Sequence, residues 1–444
     1  MQMTQNPTEA TKTNTSITDF RELNLSELTL AALRKAGFET PSPVQLGLIP
    51  PALEGRDCLG SAPTGTGKTA AFLVPLIEAI DDRARYPQAL ILAPTRELVH
   101  QIGREFERLS FGRRTRAVAV VGGESMFRQL KMLDSGSQLI LATPGRLMDL
   151  MERGSVRLDR VKHVVLDEAD QMLDIGFRPA VEAIMDAIPT PRQTLLLSAT
   201  MPRGVIDLSR RYLHEPAHVR LNPEGHTSAA ISVQQRYIMV HEEHKLELLL
   251  RLLEHERPER TIVFCRTKHG ADKLGTLLRR AGVKAEAMHG DLAQSKRNRV
   301  LDAFRSGRLQ TLAATDVVGR GIDVPEVSHV VNFDLPEGPE HYVHRIGRTG
   351  RLGGSDGMAY SFVRPNQGSL LDLIEKAIRK PLEAHTVEGF DSPPRPSLRR
   401  FSGSGAGANG KRRGPFGGRG PGRGGSSFQG RKPRRDRVAS SWGG

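Results

Sequence analysis

Eight residues, Ala62-Pro63-Thr64-Gly65-Thr66-Gly67-Lys68-Thr69, place glycines, hydroxyls and a lysine in the order that suits a polyphosphate. Glycines let backbone N–H groups crowd around phosphate oxygens, Lys68 supplies a point charge, and the hydroxyl of Thr69 is placed to ligate Mg2+. The string follows a short apolar run and opens a segment of helical period, the setting such a loop requires, although Ala62 stands where a first glycine is usual. Farther along, Val164-Val165-Leu166-Asp167-Glu168-Ala169-Asp170 sets carboxylates directly after another apolar run. Asp167 is placed to hold Mg2+ through its water shell and Glu168 to polarise a water attacking a γ-phosphate; alone, the pair also reads as an acidic helix cap. A third string, His344-Arg345-Ile346-Gly347-Arg348-Thr349-Gly350-Arg351, spaces its arginines three apart. Arg345, Arg348 and Arg351 would then share one face of a helical turn, or fan across a loop, against a triphosphate.

These groups need elements to hold them. Apolar runs of four to eight residues alternate with longer segments of helical period, as at Ala89 to Ala93, Gln138 to Ala142, His163 to Leu166 and Thr194 to Leu197. The runs are continuous, so both faces are buried, and the class is α/β with parallel sheets covered by helices. A stretch rich in Pro, Gly, Ser and Ala (222–230) interrupts the alternation, which resumes with Thr261 to Cys265, Ala285 to Met288, Thr311 to Ala314 and His329 to Phe333. A chain of 444 residues exceeds the roughly 250 to 300 at which single cores stop growing, so two units are expected. The expected organisation is a disordered N-terminus over 1–16, a first domain over 17–221, a linker over 222–230, a second domain over 231–382, and a basic Gly/Arg-rich disordered tail over 383–444.

The formal charge of +14 is concentrated at one end: from Asp391 onward thirteen Lys and Arg face two Asp, a balance of +11. The folded part is therefore nearly neutral, and any affinity for a polyanion must come from a local groove, with the tail as an electrostatic handle. Phe401, Phe416, Phe428 and Trp442, scattered among Arg and Gly, suit nonspecific stacking and phosphate contact. Cys58 and Cys265 both lie in apolar runs, which argues for buried thiols rather than a disulfide. No run approaches 18 consecutive apolar residues and the first sixteen residues lack the apolar core of a signal peptide, so a soluble cytoplasmic protein is expected, with no membrane partner.

Asp-Glu-Ala-Asp at 167–170 resembles the signature of the DEAD-box RNA helicases, and the match extends from about Phe20 to Arg351 with the family's motifs in the family's order. The resemblance implies two tandem RecA-like domains with ATP in the cleft and RNA across both. It implies that Phe20 and Gln45 select adenine, the amide of Gln45 reading the base edge and Phe20 stacking on its face. Pro94, Thr95 and Arg96, Gly122 and Gly123, and Thr143, Pro144 and Arg146 correspond to first-domain RNA contacts, which would read backbone rather than bases. Each of these turns is also what an ordinary helix cap looks like. Gly290, Arg297 and Thr315 correspond to RNA contacts of the second domain, and Asp323 to the contact with the ATP ribose. Arg266 departs from the family's asparagine, and Val318 and Gly319 from its usual small pair. Ser198 and Thr200 resemble the motif that couples hydrolysis to strand separation, and His344 would link the nucleotide and RNA sites. Arg348 and Arg351 would reach the γ-phosphate as arginine fingers.

Because Lys68, Thr69, Asp167 and Glu168 lie in the first half and Arg348 and Arg351 in the second, the resemblance implies a catalytic set complete only on closure. The expected activity is RNA-stimulated ATP hydrolysis that unwinds short duplexes or remodels RNA–protein complexes. Expected partners are single-stranded and duplex RNA, with ribosomal or degradation complexes as the family's usual settings; a monomer is expected. The same motifs serve an ATP-gated RNA clamp, and a DNA translocase of the wider superfamily is a third reading.

Overall fold

A run such as Ala89–Leu92 has no polar face to leave in water, so it must be covered on both sides. In a computed structural model of the chain all four of its residues are buried. The structure describes residues 18–62, 66–220, 233–316, 327–350 and 357–395. The expected N-terminus 1–16, the linker 222–230, Pro63, Thr64, Gly65, Asp323, Arg351 and the tail from 396 onward lie outside the described residues.

The first half carries β1 (Cys58–Ser61), β2 (Ala89–Leu92), β3 (Ala117–Val120), β4 (Leu139–Ala142), β5 (His163–Leu166), β6 (Gln193–Ser198) and β7 (Ala217–Arg220), in the sheet order β3-β4-β2-β5-β6-β1-β7. The second carries β8 (Val233–Met239), β9 (Thr261–Phe264), β10 (Ala285–Met288), β11 (Thr311–Ala314), β12 (His329–Asn332), β13 (Gly357–Val363) and β14 (Glu383–Ala384), ordered β10-β11-β9-β12-β13-β8-β14. Every pairing in both sheets is parallel. Parallel neighbours need a crossover, and helices supply it on both faces. Successive residues of β2 therefore enter different cores: Ile91 packs in the cluster of Phe72 and Phe106, Leu90 and Leu92 in that of Leu147 and Val181. Each such fully buried aliphatic contributes about 1.5–3 kcal/mol. The result is two tandem RecA-like lobes, as expected.

Cys58 and Cys265 are buried and free, and burial pushes both thiols up to about 12, which leaves them inert packing groups. Among the described residues no helix is long and apolar enough to cross a membrane.

The expected start of the tail, at 383, is too early. Glu383 and Ala384 pair with Arg236 and Tyr237 of β8, and the His385 amide donates to the Tyr237 carbonyl at 2.9 Å. Val387 is buried, and the Arg395 guanidinium reaches Asp372 at 2.7 Å and Glu375 at 2.8 Å while lying over the Tyr237 ring. A short edge strand with isolated anchors has no periodicity to read, which is why this segment looks like tail in the sequence.

Candidate active site between the two lobes

In a parallel sheet every strand ends on the same edge, and register decides which loops are neighbours. Leu92 pairs with Ala142 and with Leu166, and Ala142 with Val120; Leu166 pairs with Leu196, and Ser198 with Ser61. The loops therefore follow one another along the edge as Gly122-Gly123, Thr143, Pro94-Thr95, Asp167-Glu168, Ser198 and Ala62. The loops expected to touch RNA occupy one end, and the phosphate loop, the carboxylates and Ser198 the other.

At the second end the Lys68–Ala79 helix starts from Gly67, whose φ of +93° is left-handed; a Cβ there would sit 2.8 Å from Gln45 Nε2, so glycine is needed. Lys68 is buried and its Nζ donates to the Ala62 carbonyl at 2.8 Å. Thr69 follows it in the first turn of the helix. Gln45 joins the upstream helix to this loop: its Oε1 accepts from the Ser42 amide at 2.8 Å and its Nε2 donates to the Gly67 carbonyl at 3.3 Å, while Ser42 Oγ donates to the Thr66 carbonyl. Phe20 is buried in the core, edge-on to Phe38 at 6.4 Å, so stacking on adenine would require that packing to open.

Asp167 is buried at the end of β5; burial pushes its carboxyl up to about 7, with Lys68 opposing and Glu168 adding to the rise. Glu168 takes a left-handed backbone (φ 49°, ψ 52°) as the cap of the Ala169–Asp174 helix, an arrangement costly for a side chain with a Cβ and frequent at functional positions.

Asp170 is the hub of the phosphate-loop end. Its Oδ2 accepts from the Thr200 amide at 2.8 Å and the Thr200 hydroxyl at 2.7 Å, its amide donates to Ser198 Oγ at 3.2 Å, and Ser198 Oγ donates to the Thr200 carbonyl. His344 Nε2 of the second lobe lies 3.5 Å from the same Oδ2, both side chains almost fully buried. Burial alone would raise the Asp170 carboxyl, but the neighbouring His344 and the hydrogen bond from the Thr200 hydroxyl hold it well below the usual carboxylate range. Sequence reading did not single out Asp170; its only signal was its place at the close of Asp-Glu-Ala-Asp. Arg348 is buried one turn beyond His344, its Nε donating to the His344 carbonyl at 3.3 Å.

Arg345 is taken up within the second lobe and is not free to face a triphosphate. Its guanidinium binds Asp316 through Nε and through Nη2 at 2.8 Å, reaches Asn332 at 3.2 Å and the Asp334 carbonyl at 2.6 Å, and lies over the Phe264 ring. The Pro339–Ile346 helix ends before Arg348, so the three-residue spacing is not continued as one face, and acceptors at the ends of β11 and β12 claim Arg345 for the second lobe's own packing.

At the opposite end Arg96 lies flat against Gly122-Gly123: a Cβ on Gly123 (φ +73°) would sit 2.1 Å from its Nη1. Nη1 of Arg96 also donates to Gln294 Oε1 at 3.0 Å, across the lobes. Beside it Glu97 meets Arg297 at 2.7 Å and accepts from Gln294 Nε2 at 3.3 Å; the two charged side chains are only 6% and 8% exposed. Burial lowers the Arg297 pKa and Glu97 opposes the shift. Arg96 and Arg297, expected as RNA contacts, are thus engaged between the lobes, and Glu97 and Gln294, from the same strings, share that contact. Thr95 caps its helix by accepting from the Leu98 amide, and Pro144 opens the next helix after Thr143. Arg146 donates to Gln129 Oε1 at 3.1 Å and the Glu124 carbonyl at 3.4 Å. In the second lobe Gly290 and Thr315 follow the adjacent strands β10 and β11, and the Arg266 side chain is exposed. A cleft of about 650 Å³ beside the Glu97–Arg297 pair is lined by the Arg96–Leu109 and Gln294–Arg305 helices and by none of the described residues of the phosphate loop.

Two RecA-like lobes that meet along their strand-end edges, with a phosphate loop and paired carboxylates in one and a basic helix end in the other, define a two-lobe nucleotide-dependent helicase core. The DEAD/DEAH box helicase family matches residues 42–208 and the helicase conserved C-terminal domain residues 244–353. The chain belongs to the DEAD-box RNA helicases. It is 44% identical over 373 residues to the ATP-dependent RNA helicase CshA of Listeria monocytogenes, spanning 83% of this chain and 71% of that protein. It is 43% identical over 364 residues to the DEAD-box ATP-dependent RNA helicase CshA of Bacillus subtilis, spanning 82% and 73%. Among solved structures, S. cerevisiae Dbp5 bound to RNA and ADP BeF3 resembles it with a TM-score of 0.76 at 31% identity, over 83% of this chain and 96% of that one.

Proposed function

We propose that ATP binding closes the two lobes of this chain on single-stranded RNA, which it holds by its backbone, and that hydrolysis releases the strand, so that the cycle unwinds short duplexes and remodels RNA–protein complexes. The observation that carries this reading is the double junction along one edge: Asp170 against His344 at the nucleotide end, and Glu97 against Arg297 at the other. Ligands at both ends favour the same closed arrangement, so each tightens the binding of the other.

The residues at the nucleotide end suit a triphosphate with Mg2+. The Lys68 ammonium, held by its own loop's carbonyl, exchanges that acceptor for β- and γ-phosphate oxygens. Buried Asp167 and the Thr69 hydroxyl would hold Mg2+, Asp167 through water. When bound, the ion neutralises charge that develops on the phosphate oxygens. Glu168 polarises the attacking water, and Arg348, with Arg351 beside it in sequence, stabilises the γ-phosphoryl from the second lobe. Gln45 senses the base and ties it to Gly67, and Asp323 takes the ribose. Ser198 and Thr200, bonded to Asp170, transmit loss of the γ-phosphate to His344 and so to the lobe junction. The loops after β3, β4 and β2, with Gly290 and Thr315, take RNA phosphates and 2′-hydroxyls.

The test is ATP hydrolysis with and without single-stranded RNA, run beside strand separation of a short duplex. Strong stimulation by RNA, lost when ribose 2′-hydroxyls are replaced by hydrogen, is expected; equal rates with and without RNA would contradict the reading. Stimulated hydrolysis and ATP-dependent RNA binding without strand separation would favour the clamp. The Glu97–Arg297 pair has its own consequence. Arg297→Ala leaves Glu97 unpaired only when the lobes are closed, and breaking a buried pair costs about 3–5 kcal/mol. The ratio of RNA dissociation constants without and with a non-hydrolysable ATP analogue is expected to shrink at least about tenfold, whereas a ratio unchanged within about twofold would deny the pair a part in closure.

A further inference from the structure

Phe127 is 76% exposed, the most exposed large apolar side chain among the described residues. Phe111, the other well-exposed aromatic, has the Lys35 ammonium over its ring, whereas Phe127 makes no ring–ring or cation–ring contact among the described residues. An exposed phenyl ring with no aromatic or cationic partner presents an open face on which a nucleobase can stack.

Its position suits that use. Phe127 lies in the first turn of the Met126–Asp134 helix, four residues after Gly123. The underside of that helix is clamped to the strand-end loops: buried Gln129 donates to the Val121 carbonyl at 2.9 Å and accepts from Arg146 at 3.1 Å. Gln129, two positions on, faces roughly the opposite way around the helix from Phe127, so the ring points away from the loops' packing and into solvent beside them. Arg128 and Lys131 are exposed next to it, Lys131 one turn along on the same side. An open aromatic face flanked by two cations, rigidly held beside loops that contact a polyanionic backbone, is the arrangement that stacks a base while neutralising its phosphates.

We propose that Phe127, Arg128 and Lys131 form a base-stacking platform that extends the RNA track of the first lobe beyond the backbone-contact loops. The ring takes one nucleobase of a single strand irrespective of its identity, and the two cations take the adjoining phosphates. The proposal rests on the reading that RNA runs along Gly122-Gly123 and the helix start bearing Arg146.

The chain's only tryptophan is Trp442, so a Trp442→Phe, Phe127→Trp double variant of the full chain carries one reporter at the platform. Titration with single-stranded oligoadenylate in the presence of a non-hydrolysable ATP analogue is expected to quench its fluorescence. Phe127→Ala is expected to raise the RNA dissociation constant about fivefold to tenfold, leaving the hydrolysis rate at saturating RNA and the KM for ATP unchanged. On an oligonucleotide of the same length whose bases are replaced by abasic sites, wild type and Phe127→Ala should bind alike. An unquenched reporter with unaltered affinity in Phe127→Ala, in a protein whose hydrolysis RNA still stimulates, overturns the platform and assigns the ring to a protein partner. A loss in Phe127→Ala that persists on abasic RNA also overturns it, since the ring then supports the loop rather than stacking. Hydrolysis that RNA fails to stimulate in wild type would instead remove the underlying reading.

Discussion

Replacement of Glu168 by glutamine is expected to lower RNA-stimulated ATP hydrolysis about 10²- to 10⁴-fold, the range lost when a positioned general base is removed. The amide keeps the shape of the side chain but no longer attracts the water proton. Folding should survive, because the substitution removes a like charge from beside buried Asp167, whose carboxyl Glu168 already drives upward. Glutamine also tolerates the left-handed backbone at this position no worse than glutamate does. ATP binding should therefore persist and the closed arrangement with RNA should last longer, since the γ-phosphate is not removed. Single-turnover phosphate release and the RNA dissociation rate in ATP together check this. A variant that hydrolyses ATP within about threefold of wild type would take Glu168 out of the chemistry.

Arg348→Ala is expected to act as strongly by a different route. An arginine supplied to a transferring phosphoryl group contributes about 10³ to 10⁵ in rate in nucleotide hydrolases. Here Arg348 is buried in the second lobe, bonded to the carbonyl of His344, whose ring faces Asp170 of the first. Its removal leaves Lys68, Thr69 and Asp167 intact, so ATP affinity of the first lobe should change little while the rate falls by about 10³ or more. Arg348→Lys should not rescue it, because a lysine presents one point charge where the guanidinium offers a rigid fork. Arg345→Lys, in contrast, should lower thermal stability, since its partners Asp316, Asn332 and the Asp334 carbonyl all belong to the second lobe. Equilibrium binding of a fluorescent ATP analogue set beside the single-turnover rate separates the two effects. An Arg348→Ala rate within about tenfold of wild type would show that the γ-phosphate is not gripped from the second lobe.

Much of the architecture is legible before any coordinate. The run His163 to Leu166 is strand β5, Ala285 to Met288 is β10 and Thr311 to Ala314 is β11, each with the bounds read from the apolar pattern. These segments are local: a continuous apolar stretch bounded by turn residues has few other places to go. Less legible was the fate of long polar side chains. Arg345 and Arg348 look alike in the string of arginines, yet one closes the second lobe's own packing and the other stands beside the junction, because a helix stops after Ile346. Residues 383–395 read as tail because one edge strand and an anchored arginine carry no period.

What the amino-acid order determined alone is the set of local units: the apolar strands, the loop ending in Lys68-Thr69, and the carboxylates placed just past β5. Each follows from neighbours within a few residues, where backbone geometry and burial leave little choice. Only the tertiary structure decided that the Gly122-Gly123 loop and the phosphate loop lie at opposite ends of one edge, and that Glu97 meets Arg297 while Asp170 meets His344. Sheet order and lobe contact are set by packing summed over the whole chain, and residues some 200 positions apart carry no local mark of the partner they will find.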